Sequence, residues 1–183
     1  MFMSTSYILI IVAVAVAYLV VMYGLRGVLK KKAAGVVSDS TADEAMRLYL
    51  ERVVPGLNAG DYRLMWGSTF ANTDITRIYA YNAERIFVIP AKLAAGEIVM
   101  PDDQPSAEIE LATVDHIWFG KKDTMIRKLF VTLFFDAGND DDNFDIWCEK
   151  TDVCGNDNRP NFRAFIDFME SWAKEHNIRT EDI

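Results

Sequence analysis

From Tyr7 to Leu25 the sequence runs YILIIVAVAVAYLVVMYGL, nineteen residues without a charge or a proline. As a helix rising about 1.5 Å per residue, such a run is roughly 28 Å long, close to the hydrocarbon thickness of a bilayer. A helix buried in a globular core usually keeps a polar stripe, and this one has none. The expectation is a transmembrane helix or uncleaved signal anchor over 7–25. Tyr7, Tyr18 and Tyr23 lie mostly toward its ends, where amphipathic rings suit the interface.

The flanks set an expected orientation. No Lys or Arg precedes the run, whereas Arg26, Lys30, Lys31 and Lys32 follow it. The positive-inside bias keeps the C-terminal side in the cytoplasm and leaves residues 1–6 as a short extracytoplasmic N-terminus. A cleavable signal peptide would carry its positive charge before the apolar stretch. The four basic residues also suit anionic head groups, each contributing about 1 kcal/mol near such a surface. The expected placement is therefore the cell inner membrane, single-pass, with the bulk of the chain cytoplasmic.

Beyond the linker at 26–40 the charge balance reverses. Residues 101–183 hold nine Lys or Arg against nineteen Asp or Glu, within a chain of net charge −8. Such a surface repels phosphates, which argues against a nucleic-acid partner. Cys148 and Cys154 fit a reducing compartment, and in an exported domain they could instead close a short disulfide loop.

Thr41 opens a helical pattern within a segment over 41–74. Thr41 and Glu44 have capping-box spacing, and Met46, Tyr49, Leu50, Val53 and Val54 recur at three- and four-residue steps before Pro55-Gly56. DYRLMWGSTF, Asp61 to Phe70, reads as a second short amphipathic piece. From Thr76 the pattern changes. TRIYAY, ERIFVIPA, GEIVM, AEIEL, HIWFG, IRKLFVTLFFD and NFDIWCE are short, β-prone and bounded by turn residues. Six or seven strands with no helix between them predict an antiparallel sheet, sandwich or partly open barrel. After Pro160 helical spacing returns, with Phe162, Phe165, Ile166, Met169 and Trp172 on one face.

That order, strands and then one aromatic-rich helix, resembles a bacterial membrane-anchored pleckstrin-homology-like (PH-like) domain. The residues that carry the resemblance are ERIFVIPAK, EIELATVDHIWFGKK, KLFVTLFF, NFDIWCE and NFRAFIDFMESWAKEHN, over residues 75–178. It implies an α+β domain: an antiparallel barrel or sandwich of six to seven strands capped by the C-terminal helix. Relatives that bind phosphoinositides carry a basic cluster in the first hairpin, whereas Arg77, Arg85 and Lys92 here are scattered among acidic neighbours. The alternative is an NTF2-like fold, since YLERVVPGLNAGDYRLMW is similar to the opening helices of those domains. That fold would imply a pocket for a small ligand or lipid.

Motifs for catalysis or cofactors are absent: no glycine-rich phosphate loop, no G-x-S-x-G and no H-E-x-x-H. The expectation is no catalytic residue, no metal site and no cofactor. His176 suits the end of the last helix, and Asp115-His116 reads as a water-exposed pair at a turn. Cys148 and Cys154 lack C-x-x-C spacing, and Cys148 reads as a small core residue.

LFVTLFFDAGNDDDNFDIWCE, Leu129 to Glu149, reads as a hairpin. Strand alternation puts Leu129, Val131, Leu133 and Phe135 on one face, with Phe144, Ile146 and Cys148 on the matching face opposite. The expected register pairs Phe135 with Phe144, Leu133 with Ile146 and Val131 with Cys148, leaving AGNDDD as the loop. Consecutive aspartates between strands do not make an EF-hand. The same parity puts Phe130, Phe134 and Trp147 on the outer face as a candidate partner surface, with the 41–54 helix expected to cover them. The functional expectation is a membrane-tethered protein-interaction or scaffold module, held to lipid by its anchor and binding a membrane or cytoplasmic protein.

Overall fold

Eight strands join in one mixed sheet, ordered β10-β7-β8-β9-β1-β2-β3-β6. They are β1 (Arg63–Ser68), β2 (Thr76–Tyr81), β3 (Arg85–Pro90), β6 (Ala107–Glu110), β7 (His116–Gly120), β8 (Phe130–Phe134), β9 (Asn143–Cys148) and β10 (Arg179–Asp182). A separate hairpin pairs β4 (Lys92–Ala94) with β5 (Glu97–Val99). Among the described residues two helices pack on the mixed sheet, α1 (Ala42–Val53) and α2 (Arg159–Glu175). The computed structural model of the protein describes residues 41–69, 76–102, 104–123, 128–136 and 141–183.

The architecture corrects the expected antiparallel barrel of six or seven strands. β10 runs parallel to β7, so the sheet is mixed, and its edges β6 and β10 are not paired to each other. It is nevertheless strongly curled. Only residues 111–115 join β6 to β7, a reach of at most about 21 Å. In a flat sheet six strand spacings would separate those strands by about 29 Å. The sheet bends so that this short link, which includes a 3-10 turn at Leu111–Thr113, can close the gap.

α2 lies in the concave face. Phe162, Phe165, Ile166, Met169 and Trp172 are buried there against Tyr79, Tyr81, Val88, Ile117, Val131 and Ile146, among others. Tyr81 meets Phe165 edge-on at 4.8 Å, and the Trp172 indole donates to the Ala83 carbonyl at 3.0 Å. The helix ends with Asn177 at a φ of 57°, while the Ile178 amide reaches back to the Ala173 carbonyl at 2.8 Å. This left-handed stop turns the chain into β10.

α1 occupies the convex face, over β1, β2 and β3. The Thr41 hydroxyl accepts from the Glu44 amide at 3.2 Å. Met46, Tyr49 and Leu50 pack on Trp66, Ile78, Ala80 and Ile89, with Ile98 of the β4–β5 hairpin closing one side. The Tyr49 hydroxyl donates to the Pro90 carbonyl at 2.7 Å, and Arg52 donates to the Ile98 carbonyl at 2.7 Å. Gly56, at a φ of +93°, turns the chain away.

Three further expectations are corrected. DYRLMWGSTF contains strand β1 rather than a helix: Met65 faces the α2 side and Trp66 the α1 side. A strand covered on both faces loses the alternation that would mark it. The β8–β9 hairpin pairs Leu133 with Phe144, Val131 with Ile146 and Phe130 with Trp147, two residues away from the expected register. A two-residue shift preserves every side chain's face, so hydrophobic parity alone could not tell the registers apart. Finally, α1 packs on β1–β3 and does not cover Phe130, Phe134 and Trp147.

The single-pass, inner-membrane assignment is also corrected. Among the described residues no helix is long and apolar enough to cross a membrane. α1 carries Asp43, Glu44, Arg47, Glu51 and Arg52, and α2 is comparably charged. The run at 7–25 and its basic flank, Arg26, Lys30, Lys31 and Lys32, lie outside the described residues.

Candidate functional site

The outer face of β7, β8 and β9 carries a ladder of aromatic side chains that neither apolar core includes. Register builds it row by row. Gly120, Phe130, Trp147 and Ser68 form one row, Trp118, Thr132 and Asp145 the next, and His116, Phe134 and Asn143 the third. In the first row Phe130 and Trp147 stack at 4.7 Å. The Phe130 ring lies over Gly120, filling the place where a β-carbon would sit. An aromatic laid across a strand glycine restores packing that the glycine lacks.

The second row is tied by the Thr132 hydroxyl, 2.6 Å from an Asp145 oxygen. Trp118 is half-buried, and among the described residues its indole N–H is buried without an acceptor. In the third row His116 stacks flat on Phe134 at 4.1 Å with an interplanar angle of 6°, while Trp118 meets Phe134 edge-on at 4.6 Å.

The three residues singled out from sequence therefore have different environments. Phe134 is only 1% exposed, shielded by His116 and Trp118. Phe130 and Trp147 remain half-exposed. Trp118 joins them, and sequence reasoning missed it. Parity within HIWFG separates Trp118 from Ile117 and Phe119, but only the β7–β8 pairing sets it opposite Thr132, in the row between Phe130 and Phe134. His116 is buried in strand β7 rather than at an exposed turn, because Phe134 supplies a ring for it to stack on.

The other candidates stay apart. His176 caps α2, its ring stacked on Trp172 and its Nδ1 donating to the Trp172 carbonyl at 2.8 Å. Cys148 is buried and its thiol is pushed up to about 12, by burial first and then by the carboxylates of Asp123, Glu149 and Asp157. Cys154 is raised as well, chiefly by burial. Asp141 and Asp142 sit exposed at the end of the β8–β9 hairpin, and Asp140 lies outside the described residues. Among the described residues no three His, Cys, Asp or Glu side chains are grouped to hold a metal.

Open clefts flank the sheet. One of about 210 Å³ lies between α1 and the β4–β5 hairpin, lined by Leu48, Tyr49, Arg52, Glu97 and Ile98. Another, of about 580 Å³, separates β6 from the loop end of the β8–β9 hairpin. Comparison with known protein families, with curated proteins and with solved structures returns no match, so no relative identifies the PH-like resemblance.

Proposed function

We propose that this chain is a non-catalytic protein-interaction module whose partner packs on the aromatic strip Trp118–Phe130–Trp147. The observation that carries the reading is position: the strip occupies the sheet face that α1 leaves uncovered, while α2 fills the opposite face. Half-exposed tryptophan and phenylalanine on rigid strands present a large apolar area at little entropic cost, the composition that marks interface hot spots. The second reading, a pocket for a small ligand or lipid, has less support, because side chains of α2 occupy the concavity that would form the pocket.

The test places a photo-crosslinking phenylalanine analogue at Phe130 and, as control, at Ser171 on the exposed side of α2. The expected result is a discrete adduct from position 130 alone, reduced about tenfold when Trp147→Ala is added. Equal adducts from both positions, or none from position 130, would overturn the reading.

A further inference from the structure

We infer that the open edge of β6 accepts an extended basic segment of a partner protein as an added strand. This goes beyond the aromatic strip, which lies on another part of the sheet.

Hydrogen-bond phase supplies the first argument. The Leu111 amide donates to the Glu84 carbonyl at 2.8 Å, and the β3–β6 register continues that pairing through Ile109–Ile86 and Ala107–Val88. In an antiparallel ladder the bonded pairs alternate with non-bonded ones. The main-chain groups of Glu108 and Glu110 therefore point away from β3. Among the described residues no strand lies beyond β6 to receive them. The Glu110 carbonyl accepts from the Thr113 hydroxyl at 2.7 Å, which leaves the Glu110 N–H and both Glu108 groups facing the cleft.

Shape and chemistry supply the second. Across the cleft stand Phe135, Asp142, Asn143 and Phe144. Ile109 belongs to the α2-side core, and half-buried Phe135 and Phe144 pack against that core. Glu108 and Glu110 point to the other side of the strand. A strand laid along β6 would thus alternate, its basic residues opposite the glutamates and an apolar residue between them over Ile109, Phe135 and Phe144. Glu108 already pairs with Arg85 at 2.5 Å. Among the described residues no Lys or Arg pairs with Glu110 or Asp142. A chain of net charge −8 also steers a basic segment toward it.

The test titrates the full chain with acetyl-Lys-Val-Lys-Val-Lys-amide and follows backbone amide shifts by NMR, with the Glu-for-Lys peptide as control. Shifts concentrated on residues 107–110 and 142–144, weakening as salt rises, are expected with the basic peptide alone. Glu110→Pro is the informative variant. Glu110 has a φ of −78°, which a proline ring adopts, and its N–H points outward, so the edge loses a donor while the sheet keeps its bonds. Its binding should fall about tenfold with an unchanged circular dichroism spectrum, against a fall of about threefold for Glu110→Gln. The inference is overturned by full binding to Glu110→Pro, equal binding of the acidic peptide, or no shifts at millimolar peptide. Shifts centred on Trp118, Phe130 and Trp147 would also overturn it while leaving the aromatic-strip reading in place.

Discussion

The side-chain amide of Asn158 donates to the main-chain oxygen of Trp66 at 2.7 Å and to that of Glu149 at 3.1 Å. It does so where β1 and β9 part. Those strands pair only at Gly67–Cys148 and Ser68–Trp147, and the next pair in register would be Trp66 and Glu149. One buried amide at the start of α2 thus satisfies two carbonyls that the diverging strands leave behind. Asn158→Ala should cost about 2–3 kcal/mol. Asn158→Asp should cost more, because a carboxylate would face two carbonyl oxygens without a donor. Urea denaturation measures both, and equal stability of wild type and Asn158→Asp would refute the bridging role.

Gly120 and Phe130 form a coupled pair. A β-carbon at Gly120 would lie 2.1 Å from the Phe130 ring, so Gly120→Ala must swing the ring off its stack with Trp147. The expected cost is about 1–3 kcal/mol, with a change in tryptophan fluorescence. In a Phe130→Ala background the same substitution should cost less than half as much. Strict additivity in the double-mutant cycle would show that the ring does not fill this space.

The two thiols should react at different rates. Burial and neighbouring carboxylates keep Cys148 protonated up to about pH 12, whereas Cys154 is half-buried and less strongly raised. At pH 8.5 a disulfide reagent should modify Cys154 in the native protein and reach Cys148 only after unfolding. Stopped-flow absorbance resolves the phases, and two equally fast thiols would contradict the packing.

Alkaline pH should unfold the domain through its tyrosines. Burial raises Tyr79 far above the ordinary phenol value, raises Tyr49 to about 12 and raises Tyr81. These groups stay neutral when folded and ionise near pH 10 when unfolded. Their contribution is therefore intact below about pH 10 and lost as pH rises through the folded values, by up to about 1.4 kcal/mol per pH unit for each group. The Tyr79 hydroxyl is buried with no hydrogen-bond partner among the described residues. Tyr79→Phe should accordingly be neutral or stabilising by about 1 kcal/mol and should flatten the alkaline slope. Calorimetry from pH 8 to 11 checks both.

Legibility in the sequence follows burial. β2, β3, β7, β8 and β9 could be read because β-branched and aromatic residues cluster between turns, and α1 and α2 because their apolar steps repeat at helical spacing. β1 could not, since helices cover both its faces. β10, with the sequence RTED, has no apolar residue to announce it and is held by main-chain pairing to β7 and by the Lys121–Asp182 ion pair at 2.8 Å. Of the candidate surface, parity placed Phe130, Phe134 and Trp147 on one face. Which of them stays accessible depended on His116 and Trp118, whose approach is set by pairing between strands.

The narrow seam between β1 and β9 also bears on how the chain folds. Strands β1, β2 and β3 and strands β7, β8 and β9 each pair in sequence order, and such local pairings close small loops quickly. Joining Ser68 to Trp147 closes a loop of roughly 80 residues and carries the larger entropic penalty. The two meanders should therefore acquire protection from hydrogen exchange before the seam does. Zipping of β1 against β9, locked by Asn158, would then be the late step that sets the overall folding rate.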